Sequence, residues 1–284
     1  MVQNQFWEEE PQTSKTSIFR AGEYVWDKLP SIDAHAHLHP SRSSKELAKS
    51  GAVLASTLSL DEAVQGIGRK EPLIAWGVGC HPRLPTSVQA FDADRFGDLA
   101  ERSAFVGEIG LDGGSRVPME HQLQVFRQAL EVVAWLPRMV SIHSYQANGM
   151  MLEELRRRPV MIPVLHWWTG SADETSQAVA LGCYFSVHSA VARQSKFRTR
   201  VPPERLLVES DHGYDDPPEA IPCRIEWVEH LLAQQLRVER EEVRRLAWRN
   251  LASIIQQTGT IGFLPEPLAA ILEVVSPTTI ESKS

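Results

Sequence analysis

The chain of 284 residues has a formal charge of −7, with 43% hydrophobic and 23% charged residues. This balance is typical of a globular protein with a large core, and it argues against a protein that coats duplex nucleic acid non-specifically. The cysteines lack the paired spacing of a disulfide framework or a thiolate zinc site, and no apolar run approaches the ~18 residues that span a bilayer.

The two ends of the chain differ in pattern from its middle. Residues 1–24 are polar and aperiodic, which is compatible with an N-terminal extension that is partly disordered. This extension has neither the basic nor the apolar region of a signal peptide, so we expect a cytoplasmic protein that binds no membrane. Residues 25–260 are predicted to form one domain, and 261–284 a C-terminal tail with an apolar patch at 268–275 that can pack against it.

Short apolar runs recur along the domain and alternate with amphipathic stretches. The runs cover residues 31–34, 52–58, 73–78, 104–109, 139–142, 160–165, 183–187 and 205–208. This alternation is typical of βα units around a parallel sheet. Eight such units close most naturally as a barrel, so the sequence predicts an α/β fold, a (β/α)8 barrel of the TIM type.

The amphipathic stretches predict helices. Apolar residues recur at spacings of three and four over residues 119–136. Another helix is expected over 173–181, with Asp173 as its capping residue. Beyond the eighth apolar run, the pattern predicts extra C-terminal helices over 225–236 and 239–257.

Histidines and acids stand at the ends of the predicted strands. His35 and His37 follow the first strand two residues apart, which places both imidazoles on one face. An isolated pair of this kind is more often part of an ordinary surface loop. Here, however, each strand from the third to the eighth also ends in an ionisable side chain, in order His81, Glu108, His143, His166, His188 and Asp211. Because the C-terminal ends of barrel strands share one face, we expect these side chains to converge.

The converging set fits a site for two divalent metal ions. The expected ligands of the first ion are His35, His37 and Asp211, and those of the second are His143 and His166, with Glu108 as the bridge. Two such ions share a water molecule and lower its pKa from 15.7 towards ~7. Asp211 is then a natural proton acceptor, so Asp211 and Glu108 are the predicted catalytic residues. Imidazoles favour zinc, whereas the carboxylates also admit manganese or magnesium.

At this point the sequence resembles a known family, the TatD-like metal-dependent hydrolases, or TatD deoxyribonucleases, of the amidohydrolase superfamily. The resemblance extends over residues 30–257 and rests on segments 33–37, 79–82, 107–112 and 203–211, on the later histidines and on Asn250. It implies that the family's metal ligands correspond to His35, His37, Glu108, His143, His166 and Asp211. It also implies 3′–5′ exodeoxyribonuclease activity with a phosphodiester substrate.

Departures from the family pattern affect the expected substrate contacts. Tyr145 stands where the family has an arginine, and Gly213 replaces a proline before Tyr214. Arg83 and the Trp167–Trp168 pair are also unusual for the family. We expect His81, Arg83, Tyr145 and Trp167 to contact substrate, with His81 either polarising a phosphoryl oxygen or serving as a structural donor. Either tryptophan can stack on a base or fill the barrel mouth.

Other polar residues near the strand ends are assigned supporting roles. Glu209 is expected to face away from Asp211 and to orient a metal ligand from behind. His188 and His212 are interpreted as structural, because six ligands are already supplied. The basic run 193–200 is interpreted as a solvated helix face, with contact to a phosphate backbone as the alternative.

These residues support one leading hypothesis and two alternatives. The leading hypothesis is a metal-dependent 3′–5′ exodeoxyribonuclease that prefers single-stranded DNA, acting as a monomer or small homo-oligomer. The first alternative is an amidohydrolase or lactonase acting on a small molecule, since the same site can polarise a carbonyl group. The second is a binding component of a multi-protein defence or quality-control complex, in which the metals are structural.

Overall fold

The structure, a computed structural model, describes residues 29–213 and 224–276. The predicted extension 1–24, Tyr214 and the end of the predicted tail lie outside these ranges. Eight strands lie within the described ranges: β1 (Ile32–Ala36), β2 (Ala52–Ala55), β3 (Ile74–Trp76), β4 (Phe105–Gly110), β5 (Met139–His143), β6 (Ile162–His166), β7 (Tyr184–Val187) and β8 (Leu206–Val208). Each strand overlaps one predicted apolar run.

The strands pair in parallel and in chain order. One sheet holds β1 to β3 and the other holds β4 to β8. A bridge between Val78 and Val106 joins β3 to β4, and the backbone amide of Asp211 donates to the carbonyl of His35 across the seam between β8 and β1. The ring is thereby closed, which confirms the predicted (β/α)8 barrel. Nearly all strand residues are buried, because each strand faces the barrel interior on one side and helices on the other.

Helices connect the strands and follow the last one. They are α1 (Ser44–Leu47), α2 (Leu60–Ile67), α3 (Pro85–Gln89), α4 (Ala93–Glu101), α5 (Met119–Val133), α6 (Asn148–Arg157), α7 (Ala172–Ala180), α8 (Lys196–Thr199), α9 (Glu226–Leu236), α10 (Arg240–Thr258) and α11 (Glu266–Val275). The predicted cap of α7 at Asp173 is wrong. Ser171 caps this helix in a reciprocal capping box with Glu174, which satisfies two backbone amides at once and places Asp173 in the first turn.

The extra C-terminal helices cover the N-terminal end of the barrel. The indole of Trp248 on α10 donates to the carbonyl of Pro30 at 2.9 Å, just before β1. The amide of Asn250 donates to the carbonyls of Pro203 and Leu206 at 2.8 and 2.7 Å, where the chain enters β8. Helix α11 buries four apolar side chains in the same core, so the patch predicted at 268–275 packs against the barrel.

One end of the barrel is therefore covered, and the C-terminal ends of the strands form the open mouth. In the described ranges, no helix combines the length and the hydropathy needed to cross a bilayer.

Candidate metal centre

Glu108, near the end of β4, lies at the centre of the converging histidines. Its carboxylate is fully buried, and its two oxygens face different pairs of imidazoles. Oε2 lies 3.0 Å from Nε2 of His35 and 3.1 Å from Nε2 of His37. Oε1 lies 2.6 Å from Nδ1 of His143 and 3.2 Å from Nε2 of His166. One carboxylate thus contacts both imidazole pairs, and the rings of His35 and His166 stack on each other with centroids 4.1 Å apart.

Asp211 also lies near the first pair. Its Oδ1 lies 3.5 Å from Nε2 of His37 and 3.7 Å from Nε2 of His35. Two ligands bound about 2.1 Å from one ion lie about 3.0 Å apart at octahedral angles and about 3.4 Å apart at tetrahedral angles. Apart from the 2.6 Å contact between His143 and Glu108, which is a direct hydrogen-bond distance, the nitrogen–oxygen separations around Glu108 and Asp211 lie between 3.0 and 3.7 Å, near these values. The side chains therefore have the spacing of groups that share a metal ion.

The hydrogen bond on the far side of His37 determines what its near side can bind. Nδ1 of His37 lies 3.1 Å from the carbonyl oxygen of Ser56, which can only accept, so Nδ1 carries a proton. In the neutral ring, Nε2 then has a lone pair that faces the carboxylates of Glu108 and Asp211. Either a second proton or a metal ion can bind to this lone pair. Within the described part of the chain, Nε2 of His37 and Oδ1 of Asp211 are buried without a hydrogen-bond partner.

His35 is oriented by two serines, Ser56 just after β2 and Ser141 on β5. Its Nδ1 lies 2.8 Å from Oγ of Ser141 and 3.2 Å from Oγ of Ser56. These contacts turn Nε2 towards Glu108. Such partners behind an imidazole ligand set its tautomer and ring orientation. Ser141 precedes His143 by two residues on β5, and strand alternation therefore brings both side chains inward.

The second imidazole pair is supported by two further carboxylates. Nε2 of His143 lies 2.8 Å from Oδ2 of Asp112, so this ring is held between Asp112 and Glu108. Nδ1 of His166 lies 3.6 Å from Oε1 of Glu209. Glu209 also accepts hydrogen bonds from the amide of Trp167 and the hydroxyl of Ser186. Glu209 thus stands behind a candidate metal ligand, in the geometry expected from the sequence.

The charge distribution favours a cation at the centre. Burial acts to raise the pKa of Glu108 and Asp211, but the surrounding imidazoles outweigh it and lower both, that of Asp211 to about 2. Burial acts to lower the pKa of His37 and His166, but nearby carboxylates raise both: Asp211 and Glu108 raise that of His37 to about 10, and Glu108 and Glu209 raise that of His166. The site holds fixed anions that require positive charge, as protons or as metal ions.

Asp33 joins β1 to the end of β8. Its carboxylate accepts hydrogen bonds from the amide and hydroxyl of Ser210, and from the amide of His35 at 3.2 Å. Burial raises the pKa of Asp33 to about 7, although these hydrogen bonds act to lower it. The clamp fixes the segment that carries Asp211, whose φ of 50° is unusual for a residue other than glycine.

A cavity of about 170 Å³ opens above the metal centre at the barrel mouth. Its walls include the four predicted substrate contacts, which are His81, Arg83, Tyr145 and Trp167. They also include the candidate ligands His143, His166 and Asp211, and Asp112, which supports His143. The guanidinium of Arg83 is partly exposed, and its Nε lies 3.6 Å from Oδ2 of Asp112. Tyr145 is 46% exposed, so its ring reaches the rim of the cavity.

The tautomer of His81 is set by its own loop. Its Nδ1 accepts the backbone N–H of Arg83 at 3.1 Å, so Nε2 carries the proton of the neutral ring. That nitrogen lies 3.4 Å from Oε1 of Glu108, at the edge of the metal centre. Burial lowers the pKa of His81 to about 3. His81 is therefore a neutral hydrogen-bond donor that points into the cavity.

The two adjacent tryptophans have different environments. Trp167 lines the cavity, has a φ of 40° and packs its ring 3.9 Å from the ring of His188. Trp168 is fully buried and donates its indole N–H to Thr175 at 2.8 Å. The expectation that either tryptophan can stack on a base is therefore wrong for Trp168. The left-handed backbone at Trp167 turns the first ring outward and leaves the second in the core.

Sequence reasoning assigned no role to Asp112, Ser56 or Ser141. The available signal was position, since Asp112 closes the same segment 107–112 that carries Glu108, and Ser141 shares a face with His143. The ring of His188 packs against that of Trp167. The carbonyl of His212 accepts a hydrogen bond from the backbone N–H of His37 at 2.6 Å.

Comparison with known proteins gives consistent matches. The family model for TatD related DNase matches residues 32–256. The chain is 25% identical over 252 residues to a mouse protein named putative deoxyribonuclease TATDN3, covering 77% of this chain and 86% of the relative. It is 28% identical over 185 residues to the 3′-5′ ssDNA/RNA exonuclease TatD of Yersinia pseudotuberculosis, covering 60% of this chain and 71% of the relative.

Solved structures show the same architecture. YJJV, a TatD homologue from Escherichia coli K12, superposes with a TM-score of 0.68 at 22% identity, covering 79% of this chain and 97% of that chain. A TatD-family hydrolase from Entamoeba histolytica gives a TM-score of 0.66 at 14% identity, with the same coverage of 79% and 97%. At these identities the likeness concerns the fold, and it agrees with the closed barrel described above.

Proposed function

The chain belongs to the family of TatD-related DNases, metal-dependent hydrolases, and from this premise we propose that it is a 3′–5′ exonuclease for single-stranded DNA. The relatives named as single-strand exonucleases supply the polarity and the substrate class of this proposal. The observation that carries it is the carboxylate of Glu108, which presents one oxygen to each of two imidazole pairs.

The proposed metal ligands follow from this arrangement. His35, His37 and Asp211 would hold one ion, His143 and His166 the other, and Glu108 both. When bound, divalent ions would lower the pKa of a water molecule and neutralise charge on the phosphodiester. The four imidazoles favour zinc, while the carboxylates are compatible with manganese. The buried atoms without hydrogen-bond partners on His37 and Asp211 support occupancy by cations.

Asp211 is the proposed proton acceptor. Its pKa of about 2 keeps it ionised at neutral pH, and its Oδ1 points into the same space as the His35 and His37 nitrogens. A general base must lie within hydrogen-bond reach of the proton that it removes. Glu108 is fully buried between the two imidazole pairs, so we assign it to holding the metal ions rather than to proton transfer.

The cavity walls are assigned to the substrate. The Nε2–H of His81 is placed to donate to a non-bridging phosphoryl oxygen, and the guanidinium of Arg83 adds positive charge at the rim. The ring of Trp167 offers a stacking surface for the terminal base. A cavity of about 170 Å³ suits the end of an unpaired strand, because an interior base pair would first have to be opened at a cost of a few kcal/mol.

The proposal is tested with oligonucleotides labelled at the 5′ end. Metal-loaded protein should release mononucleotides from the 3′ end of single-stranded DNA, act more slowly on blunt duplex, and lose activity on chelation. A panel of amides and lactones tests the carbonyl-hydrolase alternative in parallel. Intact oligonucleotides together with turnover of an amide or lactone would replace the exonuclease assignment, and turnover of neither would favour a binding component.

A further inference from the structure

The cavity at the metal centre continues along one side of the barrel mouth. Trp167 forms part of its wall, and the ring of His188 lies against Trp167 with a centroid separation of 3.9 Å. The two residues follow neighbouring strands, β6 and β7, so their rings form a continuous surface across two strand ends. His188 is partly exposed, so this surface extends outward from the cavity.

A tight turn leads from His188 to an exposed arginine. The amides of Val191 and Ala192 both donate to the carbonyl of His188 at 3.1 Å, which winds this segment as a helix-like turn. At a helical rise, five residues advance the chain by only about 8 Å. Arg193 therefore begins close to His188, and its side chain is exposed.

The guanidinium of Arg193 lies beside a second aromatic surface. It is 5.8 Å from the ring centroid of Trp227, in the first turn of α9. The ring of Trp227 is 55% exposed and lies 5.4 Å from the ring of His230 at an interplanar angle of 17°. A partly exposed aromatic surface at Trp167 and His188 and an exposed one at Trp227 thus lie on either side of one cation, which is the pattern of a surface that binds an unpaired strand.

Exposed arginines lie around this surface, where Glu226 next to Trp227 is the exposed acid among residues 224–230. The protein has a net charge of −7, so a polyanion is attracted only where basic side chains are concentrated. Arg193, Arg198 and Arg224 are exposed on the segments that flank Trp227. Lys196 is not among them, because it is buried and donates to the carbonyl of Gly170 at 2.6 Å.

We propose that Trp167, His188, Arg193 and Trp227 form a rim track that binds the nucleotides on the 5′ side of the scissile phosphodiester. The bases stack on the tryptophan rings, and Arg193 contacts the intervening phosphate. This proposal rests on the proposed function for its substrate class. The cavity holds the 3′ end, and the rim track makes a longer single strand a better substrate than a short one.

The test compares a dodecanucleotide with a trinucleotide on metal-loaded protein. Trp227→Ala should lower the ratio of kcat/KM for the long substrate to that for the short one by about 5- to 160-fold, which corresponds to one lost base stack. Arg193→Ala should also lower this ratio. It should make log kcat/KM for the long strand less steeply dependent on log salt, by about 0.7.

Matched controls separate the rim track from general surface effects. Trp135→Ala removes a tryptophan that is 89% exposed after α5, in the turn leading into the N-terminal end of β5. Arg157→Ala removes an exposed arginine at the end of α6 that pairs with Glu153 at 2.9 Å. Both controls should keep the wild-type ratio. An unchanged ratio in Trp227→Ala, or an equal fall in Trp135→Ala, would overturn the rim track.

Fluorescence anisotropy with the labelled dodecanucleotide distinguishes the failure of the two proposals. Binding that weakens in Trp227→Ala, without hydrolysis by the wild type, would leave the rim track standing and overturn the exonuclease activity. Hydrolysis with equal length dependence in both proteins would do the reverse. A wild-type protein that neither binds nor hydrolyses the oligonucleotide would overturn both.

Discussion

At the residue scale, the hydrogen bond at Nδ1 decides whether Nε2 of His37 or His81 carries a proton. The carbonyl of Ser56 holds a proton on Nδ1 of His37, so Nε2 is left as a donor of electrons towards the centre. In His81 the backbone N–H of Arg83 has the opposite effect, and Nε2 carries the proton. The first ring is suited to bind a cation and the second to donate to an oxygen, although both lie beside Glu108.

Glu108→Gln tests the bridging carboxylate. The amide keeps the shape of the side chain but removes the negative charge that faces both imidazole pairs. Loss of a partner behind a metal ligand costs 10–100-fold in affinity, so loss of the bridge should weaken binding of at least one ion by more than about 100-fold. Elemental analysis after dialysis gives the metal content. Glu154→Gln is the control, because this buried carboxylate pairs with Arg127 and Arg158 away from the centre.

Asp211→Asn tests the proton acceptor. The amide can remain near the first imidazole pair through its oxygen, but it cannot accept a proton from water. We therefore expect this variant to retain more metal than Glu108→Gln and to lose about 10²–10⁴ in turnover on single-stranded DNA. Turnover close to wild type at full metal content would remove Asp211 from the proposed mechanism.

The pKa of His37 predicts how the metal-free protein responds to pH. Its pKa of about 10 in the folded chain exceeds its ordinary value of 6.5, because contacts with Asp211 and Glu108 outweigh the effect of burial. The stability that this proton contributes is fully present below about pH 6.5 and is lost as pH rises towards 10.

Urea unfolding with chelator present measures this effect. Relative to His37→Gln, the wild type should lose up to about 4 kcal/mol of unfolding free energy between pH 6.5 and 10. Metal affinity should change in the opposite direction and rise with pH, since the ion displaces the proton. A parallel pH dependence of wild type and variant would show that His37 does not carry this proton.

At the element scale, hydrogen bonds between the segment after β8 and strand β1 position Asp211 in the site. Asp33 on β1 accepts hydrogen bonds from Ser210, and the amide of Asp211 donates to the carbonyl of His35 at 3.1 Å. This seam sets Asp211 near the first imidazole pair. At the other end of the barrel, α10 covers the strand starts, so only the mouth is left open to substrate.

Asn250→Ala tests the cover formed by α10. Its amide donates to the carbonyls of Pro203 and Leu206, and the substitution removes this donor from a partly buried contact at Pro203 and a buried one at Leu206. An unsatisfied buried group costs about 1–3 kcal/mol, and we expect a loss of this order in the free energy of unfolding by urea. Gln256→Ala, at an exposed position on the same helix, should change stability by less than about 0.5 kcal/mol.

At the scale of the whole molecule, an acidic chain is proposed to act on a polyanion. Attraction must then come from the mouth itself, through the metal ions and a few arginines, because the net charge of −7 opposes approach. Such a protein gains little substrate affinity from long-range electrostatic attraction and depends on base stacking to bind the strand. This reasoning favours an unpaired strand, whose bases are free to stack, over a duplex.

The salt dependence of activity measures the number of phosphate contacts. Two or three contacts to a single strand predict a slope of about −1.4 to −2 for log kcat/KM against log salt, since each contact contributes about −0.7. Arg83→Ala should make the slope shallower by one such step while metal content is retained. A slope steeper than about −4 would indicate an extensive basic surface outside the mouth.

The sequence by itself determined the barrel and the identity of the converging side chains. Apolar runs and helical periodicity are local properties, and strands joined by helices must run in parallel, so residues such as His143 and Asp211 had to share one end. The tertiary structure decided how they meet. Three features were not predictable, because each depends on contacts between distant segments or on single backbone torsions. They are the contact of each Glu108 oxygen with a different imidazole pair, the proton on Nδ1 of His37, and the exposure of Trp167 to the cavity while Trp168 is buried.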